Sequence, residues 1–220
     1  MTMQETAFFA RITAAVTHEF MNVLSTIKET SGLMADLLSL SEGASFPHHE
    51  KFSRSLGVIR EQVRRGMAIG GVLNAFAHSA DEPEAVIEIN ELLGQLSILV
   101  QRFARLKRIE LTVIPLEAPL KIRTDPFWLQ WVLVTCLEYC LDHTASGGKV
   151  TLQAHRRMKG VALQCLMGRD AQSANKMNGA LPEWEGIREV LNQMNAQLIS
   201  IHGPGQQGLE LILSSKSREP

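Results

Sequence analysis

Cysteine is scarce in this chain. Three residues in 220, Cys136, Cys140 and Cys165, are too few for a disulfide framework. Cys136 and Cys140 stand one helical turn apart among apolar neighbours and read as reduced core thiols rather than metal ligands. An excess of charge is also missing: the formal net charge is −1 and no long basic run occurs, which argues against nucleic acid as a partner. The local group Arg102, Arg105, Lys107 and Arg108 reads as a solvated helix end. No apolar run approaches the ~18 residues of a membrane span. The first fifteen residues lack a basic segment followed by an apolar block, so no secretory signal is visible. Internal repeats and low-complexity tracts are absent. These gaps predict a soluble, cytoplasmic protein with no membrane and no nucleic-acid partner, and any signal from across a membrane has to arrive through another polypeptide.

Apolar residues, by contrast, make up 45% and charged residues 20%, enough for a real core in one large or two small domains. Residues 8–40 read as one long amphipathic helix. Phe9, Ile12, Val16, Phe20, Val23, Ile27, Met34 and Leu37 recur at three- and four-residue steps, the stripe of a helix facing a core. At ~100° per residue, His18 lies about 160° from Phe20 and about 140° from Val23, so it points into water. Asn22 lies about 40° from His18 on the same surface. Glu19 falls between the wet face and the core edge. An exposed imidazole beside a carboxylate and a carboxamide on a rigid rod is a chemical constellation, although an exposed histidine is also an ordinary surface residue. A zinc-protease helix is excluded by spacing, since His-Glu-x-x-His needs a second histidine where Asn22 stands.

Residues 41–47 carry helix-stop and turn signals, and His48 and His49 after them read as polar loop, without the companions of a metal site. A second amphipathic helix is predicted over 51–77, with Phe52, Leu56, Ile59, Val63, Met67, Gly70, Leu73 and Phe76 as its stripe and Arg54, Arg60, Glu61, Arg64 and Arg65 on its wet side. Two such helices joined by a short loop form an antiparallel hairpin that cannot bury both stripes alone. A homodimeric four-helix bundle is the expected solution.

The stretch 79–84 breaks the pattern and marks a boundary between residues 1–80 and 84–220. Beyond it the chain predicts a strand at 85–89, a helix at 91–107 capped by Asn90, a strand at 109–114 and another at 120–123. A helix opened by Asp125-Pro126 runs to His143. Strands follow at 149–155, 161–167, 198–202 and 209–214, with a helix at 184–195. The fold class is therefore α+β in two domains, helices lying on one face of a mixed sheet in the second.

This order resembles the cytoplasmic core of bacterial sensor histidine kinases. His18-Glu19-Phe20-Met21-Asn22 is similar to the family's phosphoacceptor box. Ile89-Asn90-Glu91-Leu92-Leu93, Thr124-Asp125, Leu129-Gln130-Trp131-Val132-Leu133 and Gly147-Gly148-Lys149-Val150 are similar to its ATPase domain. The resemblance implies a dimeric phosphoacceptor hairpin followed by an ATP-binding α/β sandwich. The nucleotide motifs depart from it. Thr135 and Tyr139 stand where two asparagines are expected, and a phenol is a poor ligand for Mg²⁺. Asp170 has no glycine two residues later, the glycine-rich lid is reduced to Asn175 to Gly179, and Gly186-Ile187 is a fragment of the phosphate-side motif. Glycines matter there because side chains would block backbone amides from the phosphates.

What remains resembles the bacterial histidine phosphotransferases, with a degenerate ATPase domain that binds no cofactor of its own. In that reading His18 accepts and donates a phosphoryl group from and to receiver-domain aspartates, and the receiver brings the Mg²⁺. A neutral imidazole is a competent nucleophile near neutral pH. Glu19 would fix the ring or take its proton, and Asn22, ranked below it, would hold the ring or donate to the phosphoryl group. The expected partners are a response-regulator receiver, a second copy of the chain and a partner histidine kinase. Two other readings stay open at this point: a divergent ATP-dependent sensor kinase, and a non-catalytic pseudokinase that docks a receiver or kinase.

Overall fold

The computed structural model describes residues 3–39, 48–81, 83–168, 186–203 and 206–214. The chain divides into two compact units, Met1–Ala75 and Phe76–Pro220. The predicted turn at 41–47, Asp170 and the lid remnant from Asn175 to Gly179 lie outside the described residues.

The first unit is two long helices, α1 (Met3–Ser39) and α2 (His49–His78), the last residues of α2 belonging to the second unit. On α1 the predicted stripe is buried at Ile12, Val16, Val23, Met34 and Leu37, whereas Phe20 is exposed. On α2 the predicted stripe is only partly covered within one chain. Ser55, Gly66, Ile69 and Val72 are buried, while Leu56, Val63 and Met67 of the predicted core stripe are exposed, Met67 to 74%. The cause is close approach. A Cβ placed on Gly66 would lie 3.2 Å from Val23 Cγ1, so the helices meet at Gly66, and the side of α2 with Leu56, Val63 and Met67 is left outside.

The second unit is α+β, as predicted. A two-stranded antiparallel sheet joins β1 (Ala85–Glu88) to β3 (Lys121–Thr124). A five-stranded sheet runs in the order β2-β4-β5-β7-β6, from β2 (Glu110–Ile114), β4 (Lys149–Arg157), β5 (Gly160–Met167), β6 (Ala196–Gly203) and β7 (Gln206–Ser214). Among the described residues, β2 and β4 pair in parallel and the other neighbours are antiparallel. One face carries Val150, Leu152, Leu163, Cys165, Leu209 and Leu211, all essentially fully buried. Against the sheet lie α3 (Ile89–Leu106) and α4 (Pro126–His143), with α5 (Ile187–Gln193) beside β6. Alternation of the strand residues sends the polar chain Gln153–Gln164–Glu210–Arg157 to the opposite face, with hydrogen bonds of 2.7 Å, 2.7 Å and 3.1 Å.

Local chemistry explains the helix starts. Asp125 accepts from the Trp128 amide at 3.0 Å, the cap that Asp-Pro predicts. Its carboxyl is raised above the usual range by burial, against the lowering effect of the Trp128 and Phe127 amides. For α3 the predicted cap is corrected: Glu88, not Asn90, accepts from the Glu91 amide, at 2.7 Å. Asn90 is instead used outside the helix, donating to the Leu116 carbonyl and accepting from its amide, which ties down the chain after β2.

At Gly208 of β7 an added Cβ would lie 2.1 Å from the Cys165 carbonyl oxygen. Backbone cannot yield as a flexible side chain does. Gly208→Ala is therefore expected to destabilise the second unit by ~3 kcal/mol, the upper end of overpacking costs, read as a lower denaturant midpoint.

The three cysteines are free and buried. Burial pushes the Cys140 thiol up to about 12 and raises Cys136 and Cys165 well above the ordinary range. The thiolate is the reactive form. A maleimide at pH 8 is expected to label the native protein at well under a tenth of the rate seen in denaturant, roughly tracking the opening equilibrium. Rapid native labelling would place these residues at the surface.

Candidate functional site

His18 is exposed on α1, as its helical phase predicts. Asn22, one turn on, brings its side-chain amide to 3.3 Å from His18 Nδ1. Separately, the backbone carbonyl of Asn22 accepts from Thr26 Oγ1 at 3.0 Å. One ring nitrogen is thus engaged by a neighbour on the same helix, and Nε2 is the nitrogen left for an incoming group. Amide orientation and ring tautomer go together. The atom facing Nδ1 is Asn22 Nδ2; with the amide turned over so that Oδ1 faces the ring, Asn22 accepts from Nδ1–H and the Nε2 lone pair is free.

Glu19 sits differently from its expected place at the core edge. It is only 5% exposed, and its Oε2 accepts from Arg65 Nη2 at 2.7 Å across the hairpin. Residues next to each other on a helix do not share a face, so the same rod that sends His18 outward sends Glu19 inward. The structure therefore brings His18 and Asn22 together and gives Glu19 a partner on the other helix. Arg65, assigned from sequence to the wet side of α2, is the residue that reasoning missed. A contact 46 residues away along the chain leaves no trace in local periodicity.

The positions that the resemblance assigns to nucleotide lie on α4. Thr135 donates to the Trp131 carbonyl at 2.8 Å. The Tyr139 ring stacks on His143, with centroids 4.0 Å apart and planes 29° apart. The phenol is raised above its usual range, chiefly by burial and then by the neighbouring Cys140. Trp131 is buried. Thr135 and His143 each reach a backbone carbonyl one turn back on α4. Gly186 has a positive φ of 76° before α5, a turn that glycine alone makes without strain.

A cavity of about 160 Å³ at the start of α4 is lined by Pro83, Glu84, Thr124, Asp125, Trp128, Gln193 and Met194. The Thr124 hydroxyl has no hydrogen-bond partner, but its oxygen is sealed by surrounding atoms, so it offers nothing to a ligand in the cavity.

Among solved structures, a histidine kinase ThkA in complex with the response regulator protein TrrA matches at a TM-score of 0.50 and 11% identity, covering 99% of this chain and 65% of that one. The ThkA catalytic domain alone matches at 0.50 and 11%, covering 61% of this chain and 99% of that one. This chain has the histidine-kinase core fold. A structure described as a bacterial phosphotransferase is also similar, at 12% identity and a TM-score of 0.49, covering 96% of this chain and 97% of that one. No family model and no curated protein matches the sequence. The histidine-kinase core fold accounts for the order of elements seen here: a helical hairpin, then helices against a mixed sheet. Among the described residues, no helix is long and apolar enough to cross a membrane.

Proposed function

We propose that the protein is a phosphotransfer protein of two-component signalling, in which His18 takes a phosphoryl group from one receiver aspartate and passes it to another without ATP. The observation that carries this reading is an exposed imidazole with Nδ1 engaged by Asn22 at 3.3 Å. It is joined by the occupied positions of Thr135 and Tyr139 in the other unit. A structural neighbour is a kinase solved with a response regulator protein, which supports a receiver as the partner. The place of action is the cytoplasm, and a second copy of the chain completes the bundle.

The chemistry balances without a base. The Nε2 lone pair attacks phosphorus in line. The N–P bond forms as the P–O bond to the receiver aspartate breaks, and the electron pair leaves with the carboxylate. The Nδ1 proton stays on the ring, held by Asn22 Oδ1 once the side-chain amide has turned over from its Nδ2-facing orientation, and the same step runs backward onto the next aspartate. Mg²⁺ would come with the receiver, whose carboxylates suit that ion. Glu19 need not remove a proton, which agrees with its place inside the hairpin.

The test is incubation with a receiver phosphorylated by a small-molecule donor, wild type beside His18→Ala. Label should appear on wild type only, and none should come from ATP. Label surviving His18→Ala overturns the reading. Labelling by ATP alone would instead support an autokinase, and stoichiometric receiver binding without transfer would support a docking pseudokinase.

A further inference from the structure

β6 is the last strand of the five-stranded sheet, and among the described residues it pairs with β7 alone. Its outer side therefore presents backbone N–H and C=O groups, on alternate residues, that no strand of the sheet takes up. Edge strands are ordinarily blunted by shortness, charge, proline or a bulge. The opposite edge follows that rule: β2 is five residues long and opens on Glu110, whose Oε1 lies 3.4 Å from Lys149 Nζ. β6 has none of these devices. It runs eight residues, Ala196-Gln197-Leu198-Ile199-Ser200-Ile201-His202-Gly203, without a lysine, arginine, carboxylate or proline. Its register with β7 is unbroken from end to end. α5, which packs beside it, adds Arg188 and Glu189, and so no net charge.

We propose that β6 is a self-pairing edge, on which the β6 of a second copy of this chain docks antiparallel about a two-fold axis at Ser200. The two sheets then continue as one. A second copy is the occupant because the strand complements itself. In this register Ser200 faces Ser200, Ile199 faces Ile201 of the second copy, and Leu198 faces His202. Ile199 and Ile201 are half-exposed in the single chain, on the sheet face that also carries Glu210, and become β-branched cross-strand pairs on either side of the axis. At the axis the Ser200 hydroxyl has no hydrogen-bond partner among the described residues, and its rotor can turn toward the facing serine. No like charges are brought together along the strand. Residues 197 to 203 of each copy are far fewer than the ~20–30 a side of a stable interface. The pairing is therefore weak, with a dissociation constant on the order of 0.1 mM. It acts between assemblies already formed: a hairpin dimer carries two such edges and associates further as concentration rises.

Two measurements on the full-length protein test it. The first is amide hydrogen exchange, read residue by residue, on Val63→Glu/Met67→Glu, which removes the exposed apolar residues of the hairpin from the comparison. Between about 10 µM and about 0.5 mM, alternate amides of β6 should slow by about threefold while those of β2 stay unchanged. The second is sedimentation equilibrium over the same range. Wild type should form species larger than a dimer at the upper end, and Ile199→Lys/Ile201→Lys should raise the dissociation constant of that step by about tenfold or more, because lysines then face lysines across the axis. The variant should keep its fold: within the chain, position 199 faces Glu210, and long lysine stems lie along a sheet. β6 amides that exchange alike at both concentrations overturn the proposal, as does slowing shared equally with β2. So does further association undiminished in a folded Ile199→Lys/Ile201→Lys. A wild type no larger than a dimer at about 0.5 mM also overturns it, and leaves the edge to a strand of another protein. The pairing needs neither His18 nor the phosphotransfer reading, so either can fail without the other.

Discussion

His18→Ala is expected to abolish phosphoryl transfer, with a loss on the order of 10³-fold or more, because no other group can form the N–P bond. The fold should survive. His18 is exposed and its side-chain contact among the described residues is the 3.3 Å one to Asn22 on the same helix, so the substitution exposes no buried donor and opens no cavity. Circular dichroism and the melting temperature should match wild type. Receiver binding should persist too, since docking uses the helix surfaces around the imidazole and not the ring alone. Asn22→Ala sets a graded comparison. It leaves the nucleophile and removes what aims it, so it should slow transfer by roughly 10- to 100-fold. Glu19→Gln, if the carboxylate only balances Arg65, should cost less than Asn22→Ala. The reverse order would return Glu19 to the role of base that the resemblance assigns it.

The parts of this molecule that were readable from sequence are those set by neighbours in the chain. Asp125-Pro126 announces α4 because a carboxylate cap and a fixed φ act within three residues. Gly147-Gly148 announces β4 because a turn needs them there, Gly147 taking φ 87°. The placing of His18 in water also follows from one helix's own period. The misreadings are choices made by the other side of a contact. Asn90 is the better-looking cap, but the Leu116 backbone claims it and Glu88 caps α3 instead. Arg65 and Glu19 each look like surface charges until two helices approach at Gly66. On α2, periodicity finds an apolar stripe yet cannot say whether α1 or another molecule covers it; the helix turns Ser55, Gly66, Ile69 and Val72 inward and leaves Leu56, Val63 and Met67 outside.

Those large residues lead to the second major expectation. The protein should be a homodimer, and Val63→Glu/Met67→Glu should make it a monomer, raising the dissociation constant by about 100-fold or more. Phe20 and Leu24 on α1 and Leu56, Val63 and Met67 on α2 are all exposed in the single chain. Within each helix they lie inside ~40° of arc. The two stripes meet, since a Cβ on Gly66 would lie 3.9 Å from Phe20 Cε2, so they form one patch along the hairpin. Full burial of a side chain of this size contributes ~1.5–3 kcal/mol, and a two-fold axis counts each one twice. That sum exceeds the lower part of the ~4–15 kcal/mol that association costs. A glutamate at 63 or 67 would meet its own symmetry mate's surroundings as a desolvated charge, which adds repulsion to lost burial. Sedimentation equilibrium of wild type and variant decides the matter, and a wild type that stays monomeric at micromolar concentration would sink it. The geometry also protects the chemistry: His18 lies about 160° around α1 from Phe20, so a bundle closed over the stripe leaves the imidazole facing water.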